Sequence, residues 1–146
     1  LDAGRVVHCM CTINALCLDS LPAHLNLLLE LKKIYGKEKI NFTLNILRFP
    51  SFQSPLVLDD DLREYYGEAL ERWLEKADRK NLHEHEVNHL QRLIDYLDVV
   101  KTPHSEAFDL PTLRSDFKKF YQQYDDRRGK SFVAAFPALA DWYNSL

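Results

Sequence analysis

Apolar positions follow two different rhythms in the first third of the chain and a single one afterwards. Val6 to Ile13 (VVHCMCTI) is a short, largely apolar run with three β-branched aliphatics, the pattern of a strand buried on both faces as in parallel sheets. Ser20 is placed to cap a following helix, and Pro22 suits its first turn. Leu21, Leu25, Leu28, Leu29 and Ile34 give that helix an apolar stripe, and Gly36 ends it. From Ile40 the period becomes two, with Ile40, Phe42, Leu44 and Ile46 on one face and Asn41, Thr43 and Asn45 on the other.

Strand, helix and strand of these lengths make a βαβ unit with parallel strands. Everything after it reads as helix. Pro50 and Pro55 mark a loop, and Asp59 to Asp61 open a helix carrying Leu62, Tyr66, Ala69, Leu70, Trp73 and Ala77 that runs to about Lys76. Val87, Leu90, Ile94 and Leu97 mark another that stops before Pro103. Asp109 and Pro111 open a further helix with Leu113, Phe117, Phe120, Tyr121 and Tyr124, closed by Arg127, Arg128 and Gly129. Phe132 to Tyr143 forms a short aromatic helix interrupted by Pro137. The fold class expected is therefore α/β, in two parts: a βαβ unit over 1–50 and a mainly helical region over 51–146. Two parallel strands are too few for a sheet, so further strands are expected upstream of Leu1.

Composition narrows the classes. With 146 residues, 46% of them hydrophobic and 28% charged, the chain can build a real core. A net charge of -3 supplies no overall basic field, which argues against nucleic-acid and anionic-membrane partners. No apolar run reaches the roughly 18 residues of a membrane span, and Leu1 to Arg5 do not begin a signal peptide. Three closely spaced cysteines, Cys9, Cys11 and Cys17, suit a reducing compartment, so a cytoplasmic location is expected.

The sharpest motif by spelling is His85-Glu86-Val87-Asn88-His89, the HExxH pattern in which two histidines hold zinc and the glutamate activates water. At about 100° per residue, the stripe of Val87, Leu90, Ile94 and Leu97 lies well away from His85 and His89, which places the pair on a solvated helix start. Arg92 and Asp95 stand where the extended zinc motif needs Gly and His, leaving Glu106 as a weak third ligand. His85 and His89 are thus weak metal candidates. With His83 they favour adventitious zinc or nickel binding over a zinc hydrolase.

Cys9-x-Cys11 with Cys17 lacks a cluster-binding spacing, no glycine-rich phosphate loop or GxSxG elbow occurs, and the turn Asp125 to Lys130 reads as a helix C-cap. No catalytic residue is assigned. The polar residues at the carboxyl ends of the two strands, Thr12 and Asn14 on the first and Asn45 and Arg48 on the second, stand where α/β proteins bind ligands.

Three stretches, VHCMCTINALCLDSLPAHLNLL (7–28), LNILRFPSFQSPLVL (44–58) and FKKFYQQYDDRRGKSFVAAFPALADWYNSL (117–146), resemble the C-terminal half of radical S-adenosylmethionine proteins of the twitch-domain type. The resemblance implies that the βαβ unit is the last two strands of a partial (βα)6 barrel. In that family a [4Fe-4S] cluster is held by a CxxxCxxC loop after the first strand, which this chain lacks. It further implies cofactor-binding positions at Thr12 and Asn14, near S-adenosylmethionine at the barrel mouth, and at Asn45 and Leu47, near its adenine side. On this reading S-adenosylmethionine and the iron-sulfur cluster belong to the intact parent enzyme, neither is held by this portion alone, and its partners are the N-terminal part of its own barrel and an unknown substrate. A contrasting expectation is a stand-alone helical protein-interaction module that docks a partner through Trp73, Phe136, Trp142 and Tyr143.

Overall fold

The computed structural model describes residues 4–98 and 109–146. Strand β1 (Val7–Ile13) leads through α1 (Leu21–Tyr35) to β2 (Ile40–Ile46), and two short 3-10 turns precede α2 (Asp60–Lys76) and α3 (Glu84–Asp98). Helix α4 (Leu110–Arg128) and the short α5 (Phe132–Ala135) and α6 (Ala140–Ser145) complete the chain. The strands are parallel, with Val7 opposite Ile40 and Ile13 opposite Ile46. The fold is thus mostly helical with a two-stranded parallel sheet, an α/β mixture whose predicted elements all occur. Pro103 and Glu106 lie outside the described residues.

Local chemistry sets the boundaries. Asp59 caps α2 by accepting from the Leu62 N–H at 2.9 Å, Asp109 caps α4 through the Thr112 N–H, and Gly129 ends α4 in the left-handed conformation at φ 59°. Ser20 stands at the N-cap of α1 but does not cap it; its hydroxyl donates backwards to the Cys17 carbonyl. The helical stripe on α1 also differs from expectation. Ile34 is 68% exposed and Lys32 only 1%. Position 32 lies one turn beyond Leu28 and Leu29 on the packed face, whereas 34 falls on the opposite side of the helix.

One buried apolar cluster runs from Ile13 and Leu25 through Phe42, Leu70 and Leu90 to Phe117 and Tyr143, drawing on residues both before and after Pro50. On β2 the expected alternation holds: Ile40, Phe42 and Leu44 are buried, Asn41 and Thr43 half-buried, and Asn45 exposed. Strand β1, expected to be buried on both faces, is not. His8, Met10 and Thr12 are exposed while Cys9 and Cys11 are half-buried, because helices cover only one face of the sheet. Among the described residues no helix is long and apolar enough to cross a membrane.

The aromatic residues expected to form a docking surface belong largely to the core. Trp73, Trp142 and Tyr143 are buried, and only Phe136 is half-buried. Phe117, fully buried, sits among the rings of Tyr121, Phe132 and Trp142, with centroids 4.6, 5.7 and 5.0 Å away. Trp73 donates its indole N–H to Asn26 Oδ1 at 2.7 Å, joining α2 to α1.

Burial pushes the Tyr121 phenol up to about 12, and burial aided by Asp19 and Tyr65 does the same for Tyr66. An unfolded tyrosine ionises near about 10. Between those values the native chain holds protons that the unfolded chain releases, so stability falls as pH rises through this window. Urea midpoints measured near about pH 9 and about pH 11 should drop for the wild type and drop less for Tyr121→Phe. An equal drop in both proteins would remove Tyr121 from the alkaline transition.

Candidate functional site

The outer edge of β2 is closed by side chains rather than by another strand. The Leu47 N–H donates to the Ile13 carbonyl at 2.8 Å, which fixes the phase of the ladder. The backbone groups of Phe42 and Leu44 therefore point away from β1. Three residues spaced three apart on α3 meet them. Glu86 Oε1 accepts from the Phe42 N–H at 3.0 Å, His89 Nδ1 lies 3.0 Å from the Leu44 nitrogen, and Arg92 Nη2 donates to the Leu44 carbonyl at 2.7 Å. His89 Nδ1 also lies 3.1 Å from the Leu44 carbonyl oxygen, so the imidazole meets both backbone groups of that residue.

Glu86 is fully buried and so is its partner, the Lys32 ammonium of α1, which contacts both carboxylate oxygens at 2.7 Å. The same carboxylate accepts from the His83 N–H at 2.8 Å, the reach-back of a capping box at the start of α3. Every lone-pair direction of the carboxylate is thus engaged, as a buried charge requires.

These bonds correct the reading of the HExxH spelling. Its glutamate has no access to water. Its second histidine is half-buried against β2, and His83 is tied through Nε2 to the Lys37 carbonyl at 3.0 Å. Only His85 faces solvent as expected, stacked on His83 at 5.4 Å between centroids. Adding Leu93, which is fully buried, to the apolar stripe of α3 shifts its centre toward Glu86 and brings that residue within the packed face. Among the described residues no three His, Cys, Asp or Glu side chains are grouped so as to hold a metal ion.

Of the positions implied at the barrel mouth, Thr12 and Asn45 are cross-strand neighbours with exposed side chains on the polar face. Asn14 is committed to a turn, its Oδ1 accepting from the Leu16 N–H at 3.0 Å, and Leu47 contributes its backbone N–H to the ladder. His8, which sequence reasoning missed, shares the polar face, its ring lying between the Asn41 amide oxygen and the Thr43 hydroxyl. Period-two counting along β1 from Thr12 would have placed it there. Arg92 also reaches this end of the sheet, where it lines a small cleft with Asn45, Ile46 and Arg48. Its role was not readable from α3 alone.

The three cysteines are free thiols of intermediate burial. Cys11 Sγ lies 3.5 Å from His24 Nε2, but burial, together with Cys9 and Cys17, pushes its thiol up. Burial does the same to Cys17. No family model matches the chain, and neither a curated protein nor a solved structure matches it significantly.

Removing one partner of the Lys32–Glu86 pair leaves a buried charge or an unmet donor. Lys32→Met and Glu86→Gln should each destabilise the chain by roughly 3–5 kcal/mol, and the double variant by clearly less than the sum. Urea unfolding of the four proteins measures this. Additive losses would mean that the two side chains are not coupled.

Proposed function

We propose that this chain supplies the last two strands and the C-terminal helical region of a radical S-adenosylmethionine protein of the twitch-domain type. The observation that carries the reading is the difference between the two edges of the sheet. The β2 edge is closed by Glu86, His89 and Arg92. Among the described residues no strand pairs with the other edge of β1, where the ladder's phase leaves the backbone of His8, Met10 and Thr12 facing outward. A sheet of this kind can be extended only beyond β1, as expected of strands that end an open barrel.

The polar face agrees with this reading. His8, Thr12, Asn41, Thr43 and Asn45 share it, and a partial barrel would turn such a face toward its interior. In the intact parent, Thr12 and Asn45 offer a hydroxyl and an amide to the polar groups of S-adenosylmethionine, Asn14 fixes the turn that shapes the mouth, and Leu47 packs on the adenine side. Cofactor and cluster together supply a carbon-centred radical by reductive cleavage of the sulfonium, while the protein positions them. The cysteines of this chain do not fit the [4Fe-4S] cluster: Cys9 and Cys11 lie on the helix-covered face, and the thiols of Cys11 and Cys17 are pushed up rather than down. The cluster ligands therefore belong to a CxxxCxxC loop elsewhere in the parent. A reducing, cytoplasmic setting is part of the proposal. An interaction module is the weaker alternative, because Trp73, Trp142 and Tyr143 are not available at the surface.

The coding DNA upstream of Leu1 tests the proposal directly. We expect an in-frame CxxxCxxC loop after a strand, followed by further βα units. The longer protein, reconstituted anaerobically, should release 5′-deoxyadenosine, and Thr12→Val with Asn45→Ala should raise the KM for S-adenosylmethionine. A start codon close to Leu1 with nothing encoded before it would end this reading.

A further inference from the structure

The cleft at the carboxyl end of β2 carries more positive charge than closing the sheet edge requires. It has a volume of about 200 Å³ and is lined by Asn45, Ile46, Arg48 and Arg92. Two of its four lining residues carry guanidinium groups, contributed by separate elements: Arg48 by the segment following β2, Arg92 by α3. We propose that Arg48 and Arg92 form a binding site for a phosphate-type dianion, with the Asn45 side-chain amide as an additional donor. The proposal needs only the present chain; it shares Asn45 with the radical-enzyme reading but rests on the two arginines, which that reading does not use.

Among the described residues the two arginines have no ion-pair partner. The ion pairs among the described residues join Lys32 to Glu86, Lys33 to Glu30, Arg63 to Asp60 and Arg72 to Glu68. None includes Arg48 or Arg92, although acidic residues outnumber Lys and Arg by 22 to 19. The nearest acid along α3, Asp95, accepts from Gln91 at 2.9 Å and lines a different cleft, with Arg63 and Glu64. Neighbouring cations without counter-charges repel each other unless an anion joins them.

Both side chains are also held in place from behind. Arg92 spends one N–H on the Leu44 carbonyl, leaving most of its five donors for other partners. Arg48 lies over the Tyr96 ring, 5.4 Å from the centroid, and the Tyr96 hydroxyl is in turn 3.1 Å from Ser54 Oγ. Anchoring of this kind lowers the ordering cost of binding. Two guanidinium charges match a dianion better than a single carboxylate, and planar guanidinium forks suit bidentate contact with phosphate oxygens. The location, outside the carboxyl end of a strand in an α/β arrangement, is where such ligands are found.

Inorganic phosphate is the probe, titrated into the chain at constant ionic strength with acetate and chloride as controls and followed by calorimetry. Saturable phosphate binding is expected, weakened about tenfold or more by Arg48→Gln and by Arg92→Gln, as loss of one charge-assisted contact implies. Arg72→Gln should leave it unchanged. Because Arg92 also bonds the β2 backbone, Arg48→Gln is the decisive variant: it removes a guanidinium for which no backbone hydrogen bond is seen. Absence of saturable binding, undiminished binding by Arg48→Gln, or acetate binding as tightly as phosphate would each overturn the proposal.

Discussion

The contact between Lys32 and Glu86 fixes the relation of three elements that have no other reason to meet at that point. Lys32 comes from α1, Glu86 from α3, and the carboxylate also holds the Phe42 N–H of β2. Each partner alone would be a costly buried charge; together, with the His83 N–H, they satisfy one another. A hydrophobic contact there could slide by a residue along the strand, whereas a carboxylate bound to one backbone N–H cannot. The pair thereby sets the register of α3 against β2, and the register decides which α3 side chains arrive at Leu44 and beyond.

The closed edge of the sheet follows from that register. Once Glu86 is on Phe42, a step of three residues along the helix brings His89 to the Leu44 nitrogen and a further step brings Arg92 to its carbonyl. Polar covering of this kind protects an edge from accidental strand addition. Among the described residues the outer edge of β1 has no strand partner and no such row of side-chain contacts from a helix.

The regular elements were legible because they are written in apolar periodicity. Period two over Ile40 to Ile46 and the leucines of α1 and α3 announced themselves, and the carboxylates Asp59 and Asp109 marked the helix starts where they do cap. Charged residues inside the periodic faces were illegible for the same reason. A lysine at 32 and a glutamate at 86 read as solvated in a hydrophobicity pattern, so the α1 stripe was completed with the exposed Ile34, and the α3 stripe, though Val87 does pack against the core, left out the buried Glu86. The resulting error at His89 was one of geometry rather than chemistry: a side chain at the flank of a helix stripe is remote from the core but adjacent to a sheet edge. At the mouth of the sheet, Thr12 and Asn45 could be paired by counting, since strand ends of a βαβ unit share an edge. Arg92 could not, because its arrival depends on the buried pair.

Stability and function are therefore connected at the carboxyl end of β2 in a definite order. Arg92 has one donor committed to the Leu44 carbonyl, and with that contact made it lines the cleft beside Asn45 and Arg48. Arg48 is oriented through Tyr96, one turn further along the same helix, and the Tyr96 hydroxyl through Ser54. Both supports of the cleft therefore stand on α3, Arg92 directly and Arg48 through the Tyr96 ring. Disturbing the ion pair that sets the register of α3 should then shift both guanidinium groups together, so the cleft answers as one unit to the buried charge pair.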